Sequence, residues 1–274
     1  MFPTFIIIGA MKCGTSSLYH YLRLHPEVGM SDIKEVDFFI KENNFDKGVE
    51  WYQDRFQGDY KIFGEASPNY SKAHYFAGVP QRMAELVPEV KLIYLVRDPI
   101  ERIISHYTHN YSEGREHRSI DEALQELEGN HYVMCSRYFW QLQHYLQFFS
   151  KDQMLVVPSY QLMEERRKAL QEVFKFIGVD PSYYTAEYEQ QKHKSSQKRR
   201  KGRLSRFILE SPVIKSLKGY IPDALKDPVK RATRPEVQKP ELSAPLRQRL
   251  TDYLGPDIDH LRSFTGLPLD RWDI

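Results

Sequence analysis

A chain of 274 residues with 41% apolar and 28% charged side chains is long enough to bury one large α/β domain or two small ones, and its composition is that of an ordinary globular protein. The formal net charge of +2 gives no reason to expect a nucleic-acid or membrane partner, although Lys192 to Arg206, "KHKSSQKRRKGRLSR", holds eight Lys/Arg and no acid and leaves the rest of the chain at −6. Two cysteines, Cys13 and Cys135, are too few for a disulfide framework and suit a reducing cytoplasm, and the apolar run Phe5 to Ile8 is too short for a signal sequence or a membrane span.

In chain order, "TFIII" at 4–8 reads as a short buried parallel strand. A glycine-bounded loop follows, then a helix carrying Leu18, Tyr21, Leu22 and His25 at helical spacing, for which Thr15 or Ser16 is the expected cap. "YKIFGEAS" at 60–67 and "VKLIYLVRDP" at 90–99 predict two more buried strands. Pro99 opens a helix to about Tyr111. "SIDEALQEL" and "SRYFWQLQHYLQFF" predict further helices, the second with Tyr138, Leu142, Tyr145 and Phe149 on a core face. "QMLVVPSYQL" gives a fourth strand, followed by a helix from about Met163 to Ile177, the basic loop at about 190–206, and a last helix at about 244–262. Strands alternating with helices predict a P-loop-type α/β fold: a mostly parallel sheet flanked by helices, as a single domain over 1–274.

The loop in "FIIIGAMKCGTSSLYHYL" has the glycine spacing of a Walker A phosphate loop, Gly9 to Gly14, but Thr15 stands where that motif has its lysine. The loop's lysine is Lys12, ahead of the second glycine. Amides from Ala10 to Ser16, the hydroxyls of Thr15 and Ser16, and Lys12 suit a phosphate or phosphosulfate. They suit ATP hydrolysis less, and "LIYLVRD" presents Arg97 before Asp98, an arrangement for an anion rather than Mg²⁺. Arg97 at a strand end and Ser105 two helical turns into the next helix can clamp a second phosphate. In "SDIKEVDFF", Glu35 beside aromatic residues has the makings of a base. Each stretch alone also fits a plainer reading: a glycine turn with an exposed lysine, an Arg97–acid surface pair, and a solvated Lys34–Glu35 face.

Taken together these residues resemble the sulfotransferases that use 3′-phosphoadenosine 5′-phosphosulfate (PAPS), over roughly residues 4–200 and with a motif pattern like that of heparan sulfate 3-O-sulfotransferases and bacterial sulfotransferase domains. "GAMKCGTSSL" resembles the family's 5′-phosphosulfate loop, and "LVRDPIERIISHY" its 3′-phosphate motif, with a Ser eight residues after the Arg. "KEVDFF" resembles Lys-Glu-x-His-Phe-Phe, and "GEASPNY" resembles Glu-Lys-Ser/Thr-Pro-x-Tyr. The resemblance implies that Lys12, Cys13, Gly14, Thr15, Ser16 and Ser17 hold the 5′ end of the donor, with Lys12 at the breaking bond. It implies that Arg97 and Ser105 bind the 3′-phosphate, and that Arg200, Lys201 and Gly202 in "RRKG" fold over it. Glu35 is then the base, with Lys34, Phe38 and Phe39 beside the acceptor. The product is adenosine 3′,5′-bisphosphate (PAP), no metal is needed, and the acceptor is a hydroxyl of a glycan, lipid, polyketide or small alcohol.

Two positions depart from that pattern. Asp37 stands where the 3-O-sulfotransferases have His, and Ala66 where they have Lys, which argues against a heparan-like polyanionic acceptor. Their Golgi anchor and disulfide-closed C-terminal loop have no counterpart here, so a bacterial or other cytoplasmic protein without a membrane span is expected. The rival readings are a P-loop nucleotide kinase or NTPase, and a non-catalytic polyanion or nucleic-acid binder built on the basic loop. The last is disfavoured because no aromatics interleave with the lysines.

Overall fold

Phe5, Ile6, Ile7 and Ile8 are all fully buried. Successive strand side chains point to opposite faces, so this strand is covered on both sides, as an apolar run of this kind requires. A computed structural model describes residues 1–189 and 238–274. In chain order they form β1 (Phe5–Gly9), α1 (Thr15–Leu22), β2 (Val28–Met30), α2 (Gly48–Gln53), β3 (Ile62–Ala66), α3 (Val79–Leu86), β4 (Lys91–Val96) and α4 (Pro99–Ser112). Then come α5 (Ile120–Ala123), α6 (His131–Met134), α7 (Tyr138–Tyr145), β5 (Met154–Pro158), α8 (Ser159–Glu164), α9 (Arg166–Ile177) and, beyond the undescribed stretch, α10 (Ala244–Thr265).

The five strands pair in parallel in the order β2-β3-β1-β4-β5, with β1 central. From β1 the chain turns toward β2, whereas from β4 it turns toward β5. The carboxyl ends of β1 and β4 therefore border the crevice where open parallel sheets bind ligands. The loop after β1 and Arg97 after β4 both lie at that place.

The predicted elements differ from the observed ones where local signals were weak. β2 was not expected; it is a three-residue edge strand, too short for a readable pattern. The helix expected from Met163 to Ile177 is two helices, parted at Glu165 (φ −121°, ψ 37°). The last helix runs to Thr265. Tyr138, Leu142, Tyr145 and Phe149 are all buried, as their shared face predicts. α7 has no cap of its own. Asp257 of α10 supplies one, its two carboxylate oxygens accepting from the amides of Phe139 (3.0 Å) and Trp140 (2.9 Å), and so fastens the last helix to the sheet's flank.

Candidate active site

Two glycines shape the loop after β1. A Cβ on Gly9 would meet Ser71 Oγ at 2.0 Å and the Tyr94 ring at 2.9 Å, so glycine lets the turn after β3 press against the end of β1. Gly14, at φ 98°, is the residue that starts α1, and no side chain caps the helix. The expected Thr15 or Ser16 cap is replaced by this left-handed glycine. Among the described residues, the amides of Gly14, Thr15 and Ser16 donate to no backbone or side-chain acceptor, while Ser17 and Leu18 turn back to the Gly14 carbonyl at 2.9 and 3.1 Å. Open amides and the helix N-terminus thus face one place, which suits an anion, and the half-buried Lys12 belongs to the same loop. Cys13 is buried against Tyr138, and burial pushes its thiol up to about 11, so it serves the loop as packing.

Four non-glycine residues among those described have left-handed backbones: Lys12 (φ 75°), Glu35 (65°), Asp37 (49°) and Leu269 (50°). Three of the four are candidate site residues or their neighbours, and such backbones persist only where the surroundings enforce them. For the 35–37 segment the enforcing contacts are visible. The Glu35 amide donates to the Ala66 carbonyl (3.0 Å), and the Asp37 amide donates to Ser67 Oγ (3.0 Å). Ser67 in turn donates to the fully buried Glu65 (2.6 Å), which also accepts from Tyr52 (2.6 Å) and Tyr70 (3.0 Å). The left-handed turns leave Glu35 exposed and joined to Lys34 (2.5 Å). They send Phe38 and Phe39 into the core, where Phe38 stacks on Tyr52 at 4.3 Å. The expectation that Phe38 and Phe39 wall the acceptor pocket is therefore corrected: they present no surface to a ligand.

Burial, outweighing its three hydroxyl partners, pushes Glu65 up to about 7 from an ordinary 4.5. A carboxyl raised in the folded state favours folding when protonated. Its contribution is complete below pH 4.5 and is lost as pH rises to about 7. Glu65→Gln is expected to remove that slope. Hydroxyls can both donate and accept, so the amide is accommodated. Urea midpoints at pH 4.5 and 7.5 should show the stability gap between wild type and variant moving in the variant's favour by about 3 kcal/mol. A gap independent of pH would mean that Glu65 is ionised throughout.

At the end of β4, Asp98 caps α4 through the Glu101 amide (2.8 Å), and its other oxygen accepts from the Asp273 amide (2.8 Å). Both oxygens are therefore engaged in backbone hydrogen bonds. Arg97 is half-buried and pairs with Glu101 (3.1 Å), the acid-paired arrangement that its sequence also allowed. Glu101 also accepts from Lys239 at 2.6 Å, so one carboxylate lies between two cations. Ser105 is half-buried on the same helix.

Beneath the loop lies Arg102, 0% exposed. It donates to Ser136 Oγ (2.6 Å), the Tyr132 carbonyl (2.6 Å) and the Met11 carbonyl (3.3 Å). Beside it, His74 Nε2 and His131 Nδ1 are 3.0 Å apart, with Cys135 Sγ 3.8 Å from His74. This is the one grouping among the described residues with metal-ligand chemistry. Gln141 decides its tautomer. Its Oε1 accepts from the Ala73 amide (2.9 Å), and its Nε2 donates to the Met134 carbonyl (2.9 Å) and to His74 Nδ1 (3.1 Å). A flipped amide would lose the first two contacts, so His74 Nδ1 accepts and Nε2–H donates to His131. The Nε2 lone pair that a metal would need is not presented. Burial, reinforced by Lys72 and Arg102, pushes both histidines down to about 4, so this neutral pairing holds at pH 7.

The family model described as "Sulfotransferase domain" matches residues 2–217 of this chain. The chain belongs to the sulfotransferase domain family. It is 31% identical over 214 residues to the mouse bifunctional heparan sulfate N-deacetylase/N-sulfotransferase 4, covering 68% of this chain and 23% of that protein. It is 34% identical over 192 residues to the human heparan sulfate glucosamine 3-O-sulfotransferase 5, covering 65% of this chain and 54% of that one. The matched part is thus about a quarter of the first relative and about half of the second. A sulfotransferase from Alicyclobacillus acidocaldarius shares the fold over the full length of both chains (TM-score 0.71, 23% identity).

Within this sulfotransferase domain, Lys12, Cys13 and Gly14 lie in the loop after β1, Thr15, Ser16 and Ser17 in the first turn of α1, Arg97 and Ser105 at the end of β4 and on α4, and Lys34 and Glu35 beside the end of β3. Arg200, Lys201 and Gly202 lie outside the described residues. The sequence reading of the sulfotransferase domain missed Arg102 and the Glu65 network, although both stand inside quoted motifs. It also missed Asn69 and Lys72, in and just after the short turn Pro68–Ser71, and the histidine cluster, whose members are drawn from distant segments.

Proposed function

We propose that the chain transfers the sulfuryl group of PAPS to a hydroxyl of an acceptor. The observation that carries this reading is a loop with open amides at a helix N-terminus and a lysine, Lys12, in its sequence, joined through β3 to a segment that leaves Glu35 exposed. Lys12, Cys13, Gly14, Thr15, Ser16 and Ser17 surround the phosphosulfate. Arg97, released from Glu101, and Ser105 take the 3′-phosphate, with Arg200, Lys201 and Gly202 over it and Lys239 nearby. Glu35 removes the acceptor proton while the acceptor oxygen attacks sulfur. The bond from sulfur to the 5′-phosphate oxygen breaks, and its electron pair leaves on PAP, where the Lys12 ammonium meets the growing charge.

The acceptor is a glycan, lipid, polyketide or small alcohol, and Lys34 lies beside it. No helix among the described residues is long and apolar enough to cross a membrane. Two buried free thiols, Cys13 and Cys135, support a reducing cytoplasm as the place of action.

PAP at 100 times its dissociation constant stabilises a binding protein by about 2.7 kcal/mol, a rise in Tm of roughly 5 °C or more for a chain of this size. That rise is expected without Mg²⁺, and ATP·Mg should give little. Glu35→Gln should bind PAP as wild type does and lower turnover about 10²-fold or more. A larger shift with ATP·Mg would instead favour a nucleotide kinase, a reading that the commitment of both Asp98 oxygens to backbone amides already disfavours.

A further inference from the structure

Asp37 is 8% exposed, yet only one of its carboxylate oxygens is satisfied. Oδ2 accepts from Asn69 (2.8 Å) and Asn43 (3.3 Å), whereas the buried Oδ1 has no hydrogen-bond partner among the described residues. Native proteins seldom leave a buried carboxylate oxygen unpaired, because it has lost its water. On the far side of Asn69 is a cation in the complementary condition. Lys72 Nζ donates to Asn69 Oδ1 at 2.6 Å, its one hydrogen bond among the described residues, which leaves two of its three protons to give. Asn69 thus fixes a lone acceptor and a ready donor as a pair, and its own amide orientation is set by both.

The position of the pair is defined by its neighbours. Asp37 follows Glu35 by two residues, and both are hung on the end of β3 through Ala66 and Ser67. Lys72 directly follows Ser71, whose hydroxyl lies where a Cβ of Gly9 would be, at the root of the loop after β1. Lys72 also feels Asp37, Glu35 and Arg102 electrostatically. The pair therefore lies between the loop and Glu35, where an acceptor must approach.

We propose that Asp37 Oδ1 and the Lys72 ammonium form an acceptor subsite for a neutral polyhydroxyl compound, one hydroxyl donating to Asp37 while its neighbour accepts from Lys72. This rests on the sulfotransferase reading above and adds the substrate class. A plain alkyl alcohol would cover Oδ1 and leave it unpaired, the kind of mismatch by which polar sites reject analogues lacking a hydroxyl. A carboxylate in place of the donating hydroxyl would set acceptor against acceptor and like charge against like at Asp37 Oδ1, which costs affinity even with Lys72 at hand.

The test compares PAPS-dependent sulfation of methyl glucoside, methyl glucuronide and cyclohexanol, with PAP binding measured in parallel. Methyl glucoside should exceed both others in kcat/KM by about 10²-fold or more. Lys72→Met and Asp37→Asn should each raise its KM about tenfold or more without changing PAP affinity. Should Asp37→Asn fail to fold, the half-buried Lys72→Met carries the comparison. Equal or faster transfer to cyclohexanol or the glucuronide overturns the subsite, as does an unchanged KM in Lys72→Met. So does a protein that binds PAP and transfers to none of the three; in these outcomes the sulfotransferase reading stands. Absence of PAP binding removes that reading and the subsite with it.

Discussion

Lys12→Ala is expected to lower kcat for sulfuryl transfer by about 10²- to 10³-fold, the loss seen when one preorganised donor is taken from a developing oxyanion. Lys12 is fixed by its own backbone, at φ 75° between Gly9 and Gly14, where side chains other than glycine seldom sit. A residue held in such a conformation directs its side chain from a rigid base, so little ordering remains for the moment of reaction. The amides of Gly14, Thr15 and Ser16 attract the phosphosulfate in ground state and transition state alike, and removing any one contact of that kind weakens binding more than rate. Lys12 differs because the charge it faces grows as the bond to sulfur breaks. The variant should therefore bind PAPS within about tenfold of wild type while its kcat collapses. Lys12→Arg should recover only part of the rate, since a planar fork does not replace a point charge in so tight a loop. Saturation kinetics beside PAP titration decide the matter. A loss carried wholly by KM would assign Lys12 to plain anchoring.

Much of this arrangement was legible in the sequence, and the legible parts share a cause. Gly9, Gly14, Asp98 and Pro99 act through their own backbones or through amides three residues away, so strand, loop and helix could be placed from local chemistry alone. The parallel sheet followed from alternation of element types. What was not legible depends on partners far along the chain. "KEVDFF" gave no sign that Glu35 and Asp37 adopt left-handed backbones, and with that unknown the side of the chain taken by Phe38 and Phe39 could not be read. Arg102 and Glu65 are charged residues in a core, an arrangement that composition argues against unless their hydroxyl and carbonyl partners are known. Those partners come from Ser136 and Tyr132 for the one, and from Tyr52, Ser67 and Tyr70 for the other. Lys72 carries no local signal, since a lysine after a turn is usually solvated; its half-buried place beside Asn69 is a tertiary fact.

Arg102→Met is expected to cost about 3–5 kcal/mol of stability, the range for removing one member of a buried charged network. The methionine fills most of the space but donates nothing, so the Tyr132 and Met11 carbonyls and Ser136 Oγ lose their donor together. For a chain of this length the fall in Tm should be roughly 10 °C. Arg102→Lys should recover little, because one ammonium cannot reach three acceptors arranged around a fork. The site should register the change as well. Among the described residues no carboxylate pairs with Arg102, and its contact with Met11 places this uncompensated charge directly under the loop that receives the donor. An anion in that loop is its nearest available counter-charge, and in a buried setting such attraction is only weakly screened. PAP should therefore stabilise wild type more than Arg102→Met, and His131, whose proton affinity Arg102 helps to hold down, should titrate at higher pH in the variant. Thermal melts with and without PAP, together with imidazole NMR titrations, separate these effects. A variant that loses 10 °C but keeps its full PAP shift and its histidine titration would reduce Arg102 to a packing residue.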